Sequence, residues 1–283
     1  MKFLNPCLDW AFKRIFGSAE SRRVLIAFLN DLLHSGRPVI VEVDILDPYL
    51  PSRIRQLKNT AVDVRARLSD GQEVLVEMQM WPVAGYAQRV LYNGAKCLAA
   101  QLGRGHDYRR IRPVTVVTLA DCRLLPGPRW RHDFRLADTK SRQPYPGGDL
   151  HLVFVELPKV VLADLPAAEP LRDWLAFLKN APGWDTVPRL LQNPGVREAL
   201  TLARHDSLTP SESETMSRKQ LYQQDLKNGL LYAREEGLQK GFQKAAESIA
   251  RRLLAKGMEP QAVADGTGLT LSKVKALAKK TAA

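Results

Sequence analysis

Residues 61–80 read AVDVRARLSDGQEVLVEMQM and form two runs of alternating apolar and polar side chains around Ser69-Asp70-Gly71. Alternation with a period of two is typical of β-strands, and a short loop that contains glycine is typical of a β-hairpin. The sequence therefore predicts two antiparallel strands, over residues 61–68 and 73–80, joined by a tight turn.

The turn decides which side chains of this hairpin face each other. A type I turn followed by a left-handed Gly71 that forms a bulge places Asp63 opposite Glu77 and makes one face entirely apolar. The members of that apolar face are Val62, Val64, Ala66, Leu68, Val74, Val76, Met78 and Met80. A two-residue Asp70-Gly71 loop would shift the register by one and separate the two acids onto opposite faces. We predict the bulged turn.

In the bulged register, the Cβ atoms of Asp63 and Glu77 lie within roughly 5 Å of each other. Two carboxylates this close repel each other unless a positive charge compensates. Mg²⁺, or Mn²⁺ in its place, binds carboxylate oxygens and can activate water against a phosphoryl group. The alternative is a solvated polar face on which Arg65 and Arg67 neutralise the acids, and the spacing alone leaves both readings open.

The rest of the chain continues the pattern of a mixed α/β protein. The predicted helices and strands before residue 158 are helices 8–16, 20–33 and 84–102, and strands 39–46, 113–119 and 151–157, with a long surface loop over 121–148. Later segments predict helices only: 166–180, 196–205, 216–256, 259–265 and 270–280, with a polar linker over 207–214. We therefore predict an α/β domain over residues 1–206 and an all-helical tail over 207–283.

Composition limits the class of protein. The 283 residues carry a formal net charge of +12, and 45% of them are hydrophobic. These values exclude a wholly disordered chain and favour a polyanionic partner, most often DNA. Cys7, Cys97 and Cys122 form neither a disulfide framework nor a metal-binding pair, which fits the cytoplasm. The chain also lacks an apolar run of membrane-spanning length and the apolar stretch of a secretory signal.

Two basic segments are candidates for DNA contact. Residues 101–145 contain ten Arg or Lys, among them Arg109, Arg110 and Arg112, and interleaved aromatic residues. Such a segment suits contact with a nucleic-acid backbone, and a solvated loop is the alternative. Near the end of the chain, Gly266-Thr267-Gly268 joins two short helices in a pattern that resembles a helix-turn-helix. Its second helix would bring Lys273 and Lys275 to DNA, although a hairpin used for packing or oligomerisation would look the same.

Several motifs, in order along the chain, resemble one family. They are NPCLDWAFKRIFG (5–17), VDV (62–64), VEMQ (76–79), QRVLY (88–92) and ELPK (156–159). This series is similar to the recombination-promoting nuclease (Rpn) family, also called PD-(D/E)XK nuclease family transposases. The resemblance implies a restriction-endonuclease-like mixed sheet flanked by helices. It also implies Mg²⁺-dependent hydrolysis of DNA phosphodiester bonds, associated with recombination or transposition.

The resemblance also implies roles for individual residues. Asp63 and Glu77 would bind the metal, and the backbone carbonyl of Met78 could supply a third oxygen. Gln79 stands where the nuclease superfamily usually has a lysine, and members of this family commonly carry glutamine there. A glutamine can orient water or phosphate by hydrogen bonding but supplies no charge.

Four further residues are candidate accessories to this site. Asp9 and Lys13 share one helix face and could add a metal ligand or a phosphate contact, or form an ordinary ion pair. Arg89 and Tyr92 could contact phosphate or brace Glu77, and Tyr92 could instead pack in the core.

The sequence therefore predicts a DNA endonuclease. A non-catalytic DNA-binding protein that keeps the nuclease fold is the second hypothesis. A structural protein that dimerises through its C-terminal helices is the third.

Overall fold

The computed structural model describes residues 3–50, 58–103, 105–147 and 150–281, and only the backbone of residues 220, 223, 227 and 279–281. Its contacts divide the chain into two compact units, Met1–Met216 and Ser217–Ala283.

The first unit contains both helices and strands, as an α/β fold requires. Its elements are α1 (Asp9–Phe16), α2 (Arg22–His34), β1 (Val43–Leu46), β2 (Tyr49–Leu50), β3 (Thr60–Ala61), β4 (Val64–Leu68), β5 (Glu73–Gln79), α3 (Tyr86–Ala100), β6 (Val114–Ala120), β7 (Arg131–Phe134), β8 (Leu150–Glu156), α4 (Arg172–Asn180) and α5 (Pro194–Leu202). The remaining helices are α6 (Pro210–Ala255), α7 (Pro260–Thr267) and α8 (Leu271–Thr281).

Six strands form one mixed sheet in the order β1-β4-β5-β6-β8-β7. The three central strands β5, β6 and β8 run parallel, and the remaining pairs are antiparallel. Since parallel strands end at one edge of a sheet, β5, β6 and β8 bring their carboxyl ends together. The predicted mixed sheet flanked by helices is confirmed.

The two faces of the sheet pack against different helices. One face packs on α1, α2, α4 and α5, where Phe16, Phe28 and Trp174 lie with ring centroids 5.2–5.9 Å apart. The other face, which we call the α3 face, packs on α3. This helix approaches closely at Gly94, where an added Cβ atom would lie 2.7 Å from a Leu150 methyl carbon.

The predicted hairpin register is confirmed. Gly71 has φ = +85°, the left-handed conformation that favours glycine. Its N–H donates to the carbonyl of Leu68 at 2.9 Å, and the ladder beyond pairs Arg67 with Glu73 and Val64 with Val76. A local turn signal was therefore enough to fix the alignment of two strands.

One expectation for the hairpin is wrong, and one of the two open readings of its polar face does not hold for β5. The strand begins at Val64, because Thr60–Ala61 pairs instead with Tyr49–Leu50 in a separate two-stranded sheet. Val62 accordingly packs in the α3-face cluster and not beside Val64. The polar side chains of β5 are also not solvated, since α3 covers them and leaves Glu73 and Glu77 each 4% exposed.

The predicted surface loop over 121–148 contains a strand. β7 (Arg131–Phe134) pairs antiparallel with β8 at the edge of the sheet. Edge strands are often short and polar, so they lack the apolar alternation by which strands are predicted.

Glu156 and Lys159, from the ELPK motif, form a buried ion pair beside this loop. The Lys159 Nζ lies 2.6 Å from Glu156 Oε2, and the side chains of Lys159 and Glu156 are 3% and 0% exposed. Glu156 Oε1 also accepts hydrogen bonds from the backbone N–H groups of Leu124 and Leu125. The pair therefore fixes the start of the segment that follows β6.

The long helix α6 begins at Pro210, six residues before the predicted start at 216. Thr209 and Glu212 explain the difference. The Thr209 N–H donates to Glu212 Oε2, and the Glu212 N–H donates to Thr209 Oγ1. This reciprocal pair is a capping box, and Pro210 occupies the first helical position that tolerates proline.

The second unit has its own small core. Ala250 of α6, Val263 of α7 and Val274 of α8 are each fully buried in one cluster. Gly268 ends α7 with φ = +68° and turns the chain into α8, as the glycine pattern predicted. Across the residues that the structure describes, every helix is too short or too polar to cross a membrane.

Candidate active site

Asp63 lies at the point where β4 begins and next to the carboxyl end of β5. Its Oδ2 atom accepts a hydrogen bond from the backbone N–H of Met78 at 2.8 Å. The β4–β5 ladder extends only to Val64 and Val76, so the Asp63 carboxylate bonds the Met78 amide that lies beyond it. The strand that carries Glu77 therefore also holds Asp63.

Lys13 reaches this site from α1. Its Nζ lies 2.5 Å from Asp9 Oδ1 and 3.4 Å from Asp63 Oδ1. The predicted pairing of Asp9 with Lys13 is confirmed, and the pair leans over the sheet beside Asp63. Burial lowers the pKa of Lys13, but the two acids outweigh it and leave that pKa above its ordinary value. The lysine therefore stays positively charged.

The pKa of Asp63 is raised to about 6. Burial is the largest cause, and the negative charges of Asp9 and Glu77 add to it. The Met78 N–H and the charge of Lys13 act in the opposite direction. The two carboxylates singled out in the sequence are thus close enough for the charge of Glu77 to raise the pKa of Asp63. An added positive charge would stabilise the ionised form of Asp63.

Glu77 is buried beneath α3, where three side chains of that helix surround it. Asn93 Nδ2 donates to Glu77 Oε1 at 2.8 Å. The Tyr86 hydroxyl and Arg89 Nη2 each lie 3.4 Å from Glu77 Oε2, a longer contact. Tyr86, Arg89 and Asn93 are spaced by three and four residues, so they share one helix face.

Gln79 lies two residues beyond Glu77 on the same face of β5. Its Nε2 atom donates to the carbonyl of Trp81, and its Oε1 atom accepts from Arg89 Nη2 at 3.0 Å. The Arg89 guanidinium group also stacks over the Tyr86 ring at 4.6 Å. Gln79 therefore holds the cationic side chain of Arg89 close to Glu77.

Tyr92 does not brace Glu77. Its hydroxyl donates to the backbone carbonyl of Lys58 at 3.2 Å, because position 92 lies on another side of α3. Sequence reasoning missed Tyr86 and Asn93, which do contact Glu77. Their spacing of three before and four after Arg89 was a signal that could have identified them.

Two glutamates of β5 have contrasting environments. Glu73 accepts hydrogen bonds from Arg65 Nε at 2.9 Å and from Arg67 Nη2 at 3.0 Å, and both arginines neutralise it. Within the described part of the chain, Glu77 accepts one short hydrogen bond, from the neutral amide of Asn93, and its paired cation, Arg89, lies 3.4 Å away. Of the two, Glu77 has the longer contact with a cation.

The donor set fits a hard divalent cation. Among the residues that the structure describes, the contacts of Asp63 Oδ1 and Glu77 Oε2 are 3.4 Å long, which is longer than a good hydrogen bond. In a β-strand, the N–H and C=O groups of one residue point toward the same neighbouring strand. The Met78 carbonyl therefore faces the side on which its N–H bonds Asp63. Within the described part of the chain, there is no cluster of three His, Cys, Asp or Glu side chains that could hold a metal. Mg²⁺ requires fewer, because it commonly keeps several waters.

The predicted DNA-contacting residues differ in their partners. Arg109 pairs with Asp107 at 2.5 Å on the surface, whereas Arg110 and Arg112 line a pocket beside the hairpin. In the second unit, Lys273 pairs with Glu247 of α6 at 2.7 Å, and Lys275 is exposed.

Two family models match parts of this chain. No curated protein and no solved structure matches the chain significantly. Residues 243–279 match the family model of the Rpn/YhgA-like nuclease family C-terminal HTH domain. Residues 6–233 match the model of the PD-(D/E)XK nuclease family transposases. Because that match covers most of the chain and includes the site around Asp63 and Glu77, the protein belongs to the PD-(D/E)XK nuclease family transposases.

Proposed function

We propose that this protein is a metal-dependent DNA endonuclease that acts in recombination or transposition, with Asp63 and Glu77 as ligands of Mg²⁺ or Mn²⁺. The observation that carries the proposal is the pair itself. A carboxylate whose pKa is raised to about 6 lies beside a buried glutamate that lacks a close cation. A divalent ion bound there would polarise a phosphoryl oxygen and activate water.

Lys13 and Arg89 are the two cations of this site. Lys13 lies beside Asp63 and Arg89 beside Glu77, and their side chains are 42% and 46% exposed. Both can therefore turn toward a phosphodiester and stabilise the negative charge that develops on it. Gln79 orients Arg89 through its Oε1 atom and in this way compensates for the absent lysine.

The helical tail would bind DNA in this proposal. A helix-turn-helix places its second helix in the major groove, which here is α8 with Lys275 on its exposed side. In this proposal, the α/β domain predicted over residues 1–206 cleaves DNA, and the tail predicted over 207–283 adds a DNA contact.

Homo-oligomerisation through α6 is also part of the proposal. Leu231, Leu238, Phe242 and Ile249 are all exposed, and they recur at intervals of seven and four residues. Such a stripe suits a second copy of the same helix. Sedimentation of the full chain would detect a dimer, and replacing Leu238 and Phe242 by glutamine should dissociate it. A parent protein that sediments as a monomer would contradict the dimer.

The test of the catalytic proposal is nicking of supercoiled plasmid in Mg²⁺ or Mn²⁺. Asp63→Asn and Glu77→Gln should each abolish nicking without changing the circular dichroism spectrum. Asp70→Asn, an exposed acid in the turn of the same hairpin, is the matched control and should nick like the parent. Full nicking by both site variants would show that the site is wrongly assigned.

Gln79 favours a second candidate function, a non-catalytic DNA-binding protein that retains the nuclease fold. Glutamine provides no charge and no proton acceptor for catalysis. Binding of duplex DNA without any cleavage in either metal would support this second function and overturn the first.

A further inference from the structure

A second polar site lies on the α3 face, at the end of the hairpin opposite Glu77. It is a pocket of about 440 Å³ between the β4–β5 turn and the last turns of α3. Five basic side chains line it, and we call it the basic pocket: Arg65, Arg67, Lys96, Arg110 and Arg112. Its volume is in the range of pockets that hold small ligands.

The positive charge of the basic pocket exceeds what the protein itself neutralises. Glu73 is the one acidic side chain in the described lining, and it pairs with Arg65 and Arg67. The guanidinium groups of Arg110 and Arg112 have no hydrogen-bonding partner among the residues that the structure describes. Arg110 and Arg112 are exposed, so their charges are available to an anion that enters the pocket.

Hydrogen bonds hold the backbone of the basic pocket at Arg112. Gln101 accepts from the Arg112 N–H at 2.7 Å and donates to the Arg112 carbonyl at 3.0 Å. Gly71 closes the other side, where an added Cβ atom would lie 3.4 Å from Arg112 Cγ. Arginines on a fixed backbone are preorganised to bind the oxygen atoms of phosphate in a forked geometry.

We propose that the basic pocket binds a phosphate group. Its position indicates the source. Glu73 and Glu77 are four residues apart on β5, so the pocket lies roughly 13 Å from the carboxylate site along one strand. That distance is about four nucleotides at a rise of about 3.4 Å. A DNA strand that passes Asp63 and Glu77 would thus place a backbone phosphate in the pocket, an assignment that rests on the proposed nuclease function.

The first test measures binding of a labelled DNA duplex in EDTA, so that cleavage plays no part. For each phosphate that is no longer neutralised, Arg110→Gln/Arg112→Gln should weaken binding about eightfold at 0.1 M salt and lower the salt slope by about one. Arg67→Gln should weaken binding also, although Arg67 lies on a different segment. Arg22→Gln/Arg23→Gln removes the same charge from an exposed part of α2 and should leave affinity within twofold.

A second arm distinguishes the source of the phosphate. Inorganic phosphate and a nucleoside monophosphate are titrated into the full chain and followed by thermal melting. If the variants lose DNA affinity and neither small anion raises the melting temperature, the pocket binds the DNA backbone. If a small anion stabilises the parent and not Arg110→Gln/Arg112→Gln, the phosphate site stands and its DNA assignment fails.

The proposal is overturned if neither DNA binding nor anion binding changes in the pocket variants. Arg110 and Arg112 make no side-chain hydrogen bonds or ion pairs that the fold requires in the described structure, so these variants should melt like the parent. Failure of the catalytic proposal is separable, because Asp63→Asn should bind DNA in EDTA like the parent whether or not the parent cleaves.

Discussion

The carboxylate of Asp63 is hydrogen bonded to the backbone of Met78, the residue that follows Glu77. One acid of the proposed metal site is thus anchored to the strand that carries the other. A short side chain at the beginning of β4 can in this way be held against β5 without a continuous ladder between them. The arrangement keeps Asp63 in place before any cation binds.

Metal binding should be measurable as stability. At a Mg²⁺ concentration tenfold above its dissociation constant, the free energy of unfolding of the parent should rise by about 1.4 kcal/mol. The reason is that a ligand that binds only the folded state stabilises that state. Thermal melting with and without Mg²⁺ measures this. Asp63→Asn should melt at the same temperature in both conditions, whereas Asp70→Asn should respond like the parent. An equal response of Asp63→Asn would place the metal elsewhere.

Arg89 is expected to contribute charge to catalysis. Arg89→Gln should reduce the single-turnover rate of nicking by roughly 10²-fold, comparable to removing one donor that stabilises a transition state. Arg89→Lys should recover part of the rate, since it restores the charge and not the forked geometry. Rates of Arg89→Gln within twofold of the parent would remove Arg89 from the mechanism.

Asn93 should matter for stability through Glu77. Asn93→Leu removes the 2.8 Å donor of a buried carboxylate and is expected to cost about 1–3 kcal/mol in the free energy of unfolding. Urea denaturation measures this loss. Tyr92→Phe is the control, because the Tyr92 hydroxyl bonds a backbone carbonyl away from the site, and it should cost less. A stable Asn93→Leu would mean that Glu77 does not depend on this bond.

Breaking the Glu156–Lys159 ion pair should lower the free energy of unfolding more than Asn93→Leu does. Lys159→Met leaves a fully buried carboxylate without its cation and should cost about 3–5 kcal/mol. In a double-mutant cycle with Glu156→Gln, the two losses should be far from additive, since the second change removes the uncompensated charge. Additive losses would show that the two side chains act independently.

Glu73 predicts a dependence of stability on pH. Burial raises its pKa, but Cys97, Arg67 and Arg65 outweigh burial and hold the pKa below the ordinary 4.5. A group whose pKa is lower in the folded state than in the unfolded state stabilises the protein at pH values above its unfolded-state pKa. That stabilisation is lost as the pH falls through the folded-state pKa. Below pH 4.5, the free energy of unfolding of the parent, measured in urea, should fall more steeply than that of Glu73→Gln. Parallel curves for the two proteins would contradict the ion pairing.

The parts of this fold that local chemistry determines could be predicted from the sequence. The left-handed Gly71 fixed the register, and alternation then identified Asp63 and Glu77 as neighbours. The capping box at Thr209 and Glu212 was also visible in the sequence, but the polar composition of the segment favoured a linker and hid the start of the helix.

Other parts depend on contacts between distant segments. The burial of Glu73 and Glu77 follows from α3 packing on the sheet, which no pattern within the hairpin indicates. The choice of Asn93 over Tyr92 depends on the rotation of α3 about its axis, and a shift of one residue exchanges them. β7 forms by pairing with β8, so the sequence of β7 itself gives little indication of a strand.

The helix α3 contributes to both polar sites of its face. Its first half surrounds Glu77 with Tyr86, Arg89 and Asn93, and its last turns line the basic pocket through Lys96 and Cys97. A rigid helix transmits any displacement at one end to the other. If both proposed sites bind the substrate, a phosphate that moves α3 at the basic pocket would also move the side chains that surround Glu77.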